Sequence, residues 1–119
     1  REVNDASLDA FTKAISLKPD YGLAYLNRAG IRVEMNDPWN AINDYSVAIA
    51  LDSSSIEAWD GRIGLRMGMK DYANAIDELE AQLARTPDYQ DAWKKRCEYS
   101  LEVEAELKKI NEASLAEFG

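Results

Sequence analysis

Three arginines recur at a constant interval in this sequence, Arg28, Arg62 and Arg96, each 34 residues from the next, and acids stand sixteen residues after the first two, at Asp44 and Glu78. Guanidinium groups in such a row can do either of two things. They can grip an anionic ligand through paired N–H donors, or they can make the same bonds internally and hold the fold together. The matching acids favour the internal use, an arginine–carboxylate ladder in which the apolar stems pack and the charged heads meet. There is no histidine, and Cys97 is the single cysteine. A nucleophile therefore has no imidazole to activate it, and zinc has neither an imidazole nor a thiolate pair. Cys97 is expected to be a small buried filler. Asp77, Glu78 and Glu80 lack the glycine turn and spacing of a calcium loop and read as a solvated helix face. These residues offer no catalytic, cofactor-binding or metal site, and no enzyme is expected.

Composition narrows the partners. The 119 residues are 46% hydrophobic, enough for one core, so a single domain over 1–119 is expected. Acidic residues outnumber basic ones by 22 to 14, for a net charge of −8. A field of that sign repels phosphate backbones, and the longest basic run, Lys94-Lys95-Arg96, is hemmed in by Asp91, Glu98 and Glu102. Nucleic acid is not an expected partner. No apolar run approaches the roughly 20 residues that span a bilayer, and no signal-peptide pattern opens the chain. No membrane insertion is expected, and with a lone cysteine a reducing, cytoplasmic setting is the expected location.

The arginine interval belongs to a wider period. Tyr25, Trp59 and Trp93 stand 34 residues apart, each after an alanine, and the same step links Pro19, Ser53 and Pro87, Asp37 and Asp71, Ala41-Ile42 and Ala75-Ile76. A repeat of this length is one supersecondary unit. Within it, apolar residues recur at i, i+3 and i+4 between breakers, which predicts two amphipathic helices per unit and an all-α chain. Asp37-Pro38 supplies an N-cap and a first-turn proline, Asp71 caps the equivalent helix, and Ser54 with Glu57 resembles a capping box. The helices are predicted at about 4–18, 22–35, 38–51, 56–69, 72–85 and 90–113, give or take a few residues.

On these residues the chain resembles the tetratricopeptide-repeat family. The 34-residue period carries an aromatic at repeat position 4, small or aliphatic residues at 8 and 20, an aromatic or leucine at 24, alanine at 27 and proline at 32. The resemblance covers about residues 4 to 103. It divides the chain into the second helix of a truncated repeat (4–21), full repeats at 22–55 and 56–89, and a capping or extended C-terminal helix (90–119). Phe11, Ala14 and Pro19 fill positions 24, 27 and 32 of the first of these. Ser53, Ile63 and Gln82 depart from the pattern. The resemblance implies a right-handed superhelical stack of helix-turn-helix units. It also implies a protein-interaction scaffold or adaptor whose first helices line a concave groove.

Carried over by repeat position, that groove would present Leu23, Leu26, Asn27, Gly30, Val33 and Glu34 from the first full unit. The next would add Glu57, Asp60, Gly61, Gly64, Met67 and Gly68, and the last helix Asp91, Lys94, Lys95, Glu98, Leu101 and Glu102. This is an apolar patch beside an acidic belt, suited to a protein or peptide with apolar anchors and basic flanks. Some family members, co-chaperones, clamp the acidic tail of heat-shock chaperones. Asn27 matches one asparagine of that clamp, but Glu57 and Gly61 stand where basic residues are needed. The glycines at 61, 64 and 68 each cost about 1 kcal/mol in a helix, and two readings stand. Bare backbone at Gly64 and Gly68 admits a ligand chain, with Met67 adapting to it, or Gly64 relieves crowding from Ile63.

Residues 102–110 lack glycine and proline, so the last helix is expected to run on and project Leu107 and Ile110. These either seat a partner or a second copy, or lead toward further sequence. The alternative to an adaptor is thus a structural solenoid segment or a homo-oligomerisation module, pairing through this helix or through the open N-terminal one.

Overall fold

The computed structural model describes residues 2–85, 87–88 and 90–118, with Glu2 and Phe118 as backbone. The predicted repeat boundary at 89 and the end of the last unit at 119 therefore lie outside the described residues. Six helices follow in order: α1 (Glu2–Leu17), α2 (Gly22–Glu34), α3 (Pro38–Leu51), α4 (Ile56–Gly68), α5 (Tyr72–Arg85) and α6 (Gln90–Phe118), with no strand among the described residues. None of these helices is long and apolar enough to cross a membrane. The expected hairpins are present, and α6 runs five residues beyond its predicted end.

The two full hairpins turn in the same way. Asn36 and Lys70, one period apart, take left-handed φ of 59° and 63°. The next amide reaches back past the helix end, Asp37 N–H to Arg32 O at 2.9 Å and Asp71 N–H to Arg66 O at 2.8 Å. This closes each first helix with a left-handed cap that satisfies its last carbonyls. Asp37 makes no side-chain cap bond. Its carboxylate instead accepts from Asn40 at 2.8 Å, and Asp71 accepts from Asn74 at 3.0 Å. The expected capping box at Ser54 is also displaced. Ser55 is the N-cap of α4, accepting from Ala58 N–H, while Ser54 donates to Asp52.

Packing runs between consecutive helices, α1 on α2 through α5 on α6, and draws the molecule out to 61 × 37 × 17 Å. Alanines 29, 41, 48, 58, 75 and 92 are buried where backbones approach, and Tyr45, Trp59, Ile63, Met67 and Leu79 fill the spaces between them. Each helix buries one stripe on each neighbour, so no single hairpin completes a core alone.

The arginine ladder forms. Arg28 grips Asp44 with two bonds of 2.7 and 2.9 Å, and Arg32 adds a third at 2.8 Å. Asp44 is buried, and its bond pushes the Arg28 pKa above the ordinary guanidinium value against the opposing effect of burial. One unit on, Arg62 and Arg66 meet Glu78 at 3.0 and 3.1 Å. Each arginine of the row also reaches back sixteen residues, Arg28 to Thr12, Arg62 to Ser46 and Arg96 to Glu80. The ladder thus ties each unit to the one before it.

The expected burial of Cys97 fails, and Trp93 beside it is open for the same reason. Cys97 is exposed and Trp93 is 52% exposed, whereas Trp59 at the same repeat position is 8% exposed. Trp59 lies under α5, with the Arg85 guanidinium 4.9 Å from its ring. Beyond residue 103, α6 continues as one helix to Phe118, so among the described residues no helix returns over Trp93 and Cys97.

Candidate functional site

The first helices of the two full hairpins, α2 and α4, line two adjoining hollows. One, of about 340 Å³, is walled by Leu26, Asn27, Gly30 and Glu34 of α2, Phe11 of α1 and Glu57 of α4. The other, of about 480 Å³, is walled by Val33 at the end of α2 and by Asp60, Gly64, Leu65 and Gly68 of α4. Tyr45 of α3 lines both hollows and forms the ridge between them. Burial, and secondarily Glu57, pushes its phenol above the usual tyrosine pKa, so it stands in the groove as a neutral hydrogen-bonding group.

The three glycines of α4 separate by environment. A Cβ on Gly61 would lie 2.6 and 2.8 Å from the Cε1 and Cε2 atoms of Tyr45, so glycine is required there for the ring to cross the helix. At Gly64 and Gly68 a Cβ would meet nothing within 4 Å. Crowding from Ile63 therefore does not explain Gly64, whose backbone faces the larger hollow.

The structure brings Leu26, Asn27, Glu34 and Glu57 around the smaller hollow, and Val33, Asp60 and Gly64 around the larger. Met67 is a correction. It is 7% exposed and packs in the core, because position 12 of α4 turns toward α5 rather than outward. Leu23 is exposed at the start of α2 but lines neither hollow, and Lys94 and Glu98 lie exposed on α6, away from both. Lys95 bonds Asp60 at 3.2 Å, a link from α6 to the groove wall. Leu107 and Ile110 project from α6 at 55% and 58% exposure, as the missing helix breaker implied.

Tyr45, a core residue that also shapes the groove, is not among the residues that the repeat positions place there. The signal was present. Gly61 follows Tyr45 by sixteen residues, as Lys95 follows Leu79, so the large ring is matched by the residue without a side chain.

A third hollow, of about 490 Å³, lies at the far end of the stack among Leu83, Ala84, Trp93 and Cys97, rimmed by Glu80 and Arg96.

No protein-family model matches the sequence, and no curated protein matches it significantly. Solved structures do match. The first TPR domain of human RPAP3 is 22% identical with a TM-score of 0.75, over 88% of this chain and 83% of that one. The TPR domain of Arabidopsis OM64 is 21% identical with a TM-score of 0.73, over 85% and 84%. YrrB, described as a TPR protein with an unusual peptide-binding site, is 27% identical with a TM-score of 0.68, over 82% of this chain and half of that one. This chain has the tetratricopeptide-repeat fold.

Proposed function

We propose that this stack of tetratricopeptide-type hairpins is an interaction scaffold that takes a peptide along the α2–α4 groove. The reading rests on the divided groove itself. Two hollows flank a tyrosine ridge, with open glycine backbone on one side and the exposed carboxylates of Glu34 and Glu57 on the other. Peptide binding by structures of this fold supports it, since the first TPR of Spaghetti (RPAP3) is described bound to an HSP90 peptide, SRMEEVD.

The charge here favours a different ligand. Glu34 and Glu57 are exposed around the smaller hollow, and the chain carries −8 overall. An acidic tail meets repulsion from this surface, whereas basic residues are steered toward it. The ligand we assign has apolar side chains for the Leu26, Val33 and Leu65 surfaces and lysine or arginine beside them, its backbone passing close over Gly64.

The test is fluorescence anisotropy with two labelled dodecapeptides, one built of leucine and lysine and one of leucine and glutamate, with SRMEEVD as a third probe. The basic peptide is expected to bind, and its affinity to fall at least tenfold with Glu34→Lys and Glu57→Lys together, equivalent to about 1.4 kcal/mol. Gly64→Ala should weaken binding while raising stability by about 0.5–1 kcal/mol. Equal binding of the acidic and basic peptides would remove the charge assignment, and no binding of either would remove the groove.

A further inference from the structure

One ion pair stands outside the repeated ladder. Asp60 of α4 meets the ammonium of Lys95 on α6 at 3.2 Å. Members of the ladder return at the 34-residue step, but one step before Asp60 and Lys95 stand Leu26 and Gly61. Stacking of one unit on the next therefore does not call for this pair. Access differs as well. The Asp44 side chain in the ladder is 3% exposed, whereas that of Asp60 is 24% exposed and that of Lys95 33%.

The carboxylate belongs to the groove. Asp60 lines the larger hollow with Gly64 and Leu65, so it stands beside the open backbone of α4. Its two oxygens have different neighbours. Oδ1 accepts from Nε2 of Gln82 at 3.4 Å, and Oδ2 faces Lys95. Gln82 is buried and holds the carboxylate from the core, while Lys95 reaches it along a flexible stem that is part open to water. A groove acid met by a movable cation of the same chain has the form of a binding point that is already filled.

We infer that Asp60 is where the groove receives a basic side chain of its peptide, and that Lys95 holds this place in the unliganded chain. The inference rests on the peptide-binding reading of the α2–α4 groove. Its physical ground is exchange of like for like. A peptide lysine or arginine that displaces Lys95 leaves the partly buried carboxylate with a cation throughout, so no buried charge is left uncompensated. Lys95 in turn gives up a pair of the loosely held, solvent-screened kind, and its ammonium is hydrated on release. The resident cation still competes, because its tether gives it a high effective concentration. Lys95 therefore sets a threshold that a basic peptide must exceed. A peptide carboxylate gains nothing here, since the cation it would need is already paired with Asp60.

Anisotropy of the leucine–lysine dodecapeptide on the whole chain tests this with Lys95→Met, Lys94→Met and Asp60→Asn, each checked for native helicity by circular dichroism. The two lysine variants remove the same charge from adjacent positions. Lys94 is exposed and pairs with no acid among the described residues, so it reports the effect of charge alone. Lys95→Met should raise affinity about three- to fivefold, the worth of an exposed ion pair, and Lys94→Met no more than about 1.5-fold, as screening allows. Asp60→Asn should lower affinity about threefold or more, and placed together with Lys95→Met it should abolish the gain. Should methionine at 95 lower helicity, Lys95→Gln takes its place.

Equal gains from the two lysine variants would overturn the inference, because charge in general would then account for both. So would a Lys95→Met gain that survives Asp60→Asn. A wild type that binds the peptide with no gain from Lys95→Met removes this inference and leaves the groove reading standing. Failure of both wild type and Lys95→Met to bind at about 1 mM peptide, where even weak specific binding registers, removes the groove reading and this inference with it.

Discussion

Tyr45 and Gly61 form one unit of design at the level of single side chains. The ring is nearly buried and rests where the Gly61 Cβ would stand. Gly61→Ala therefore forces the ring or the helix to shift and should cost about 1–3 kcal/mol, as overpacked cores do. Adding Tyr45→Leu, the residue type found at this position in the next unit, should recover part of that loss in a urea titration. A single-residue effect of a different kind governs acid stability. Hydrogen bonds from Asn74, and then Arg66, hold the Asp71 carboxyl below the usual carboxylate range, and Ser54 does the same for Asp52. A carboxyl depressed by folding stabilises the folded state above its unfolded pKa and loses that contribution as pH falls through its folded pKa. Urea midpoints of wild type and Asn74→Ala should thus differ at neutral pH and converge below about pH 4. The arginine ladder was legible in the sequence because charge recurs at a fixed step. The burial of Met67 was not, since the position carried over from the family faces the groove, whereas here the side chain joins the core cluster with Leu79 and Leu83 of α5.

Elements were readable wherever a breaker marked them. Pro38, Asp71 and the 34-residue step locate the hairpins within a few residues of the structure. Exposure at the end of the stack was harder to read, because Trp93 and Cys97 have sequence neighbours much like those of Trp59 and Ile63. Their difference is made by a helix that is not beside them. Caps also moved by a residue, since neighbouring serines and aspartates compete for the same amides and the winner depends on backbone geometry. The turns offer a prediction. Lys70 adopts the left-handed conformation that Asn36 tolerates more easily and glycine tolerates best. Lys70→Gly should raise stability by about 0.5–1 kcal/mol in thermal or urea unfolding, unless the salt bridge of Lys70 to Glu106 at 4.0 Å offsets it. That bridge is long and exposed, so a net gain is expected.

For the whole molecule the governing fact is that each helix packs mainly against those before and after it. Such a contact map brings together residues already close along the chain, so little loop-closure entropy is lost before packing begins to stabilise the chain. Folding should accordingly be fast, and opening should start at the ends rather than throughout. Amide exchange measures this directly. Protection should be greatest in α3 and α4, which lie farthest from both ends of the stack, and least in the projecting part of α6 beyond Leu107. Uniform protection across the six helices would contradict it. The straight run of α6 carries one more consequence. A hairpin that turned at residue 104 would seal its end of the stack as a lid closes a tube. A rod in its place leaves the mouth unsealed, with the Trp93 indole at its rim open to solvent on one side.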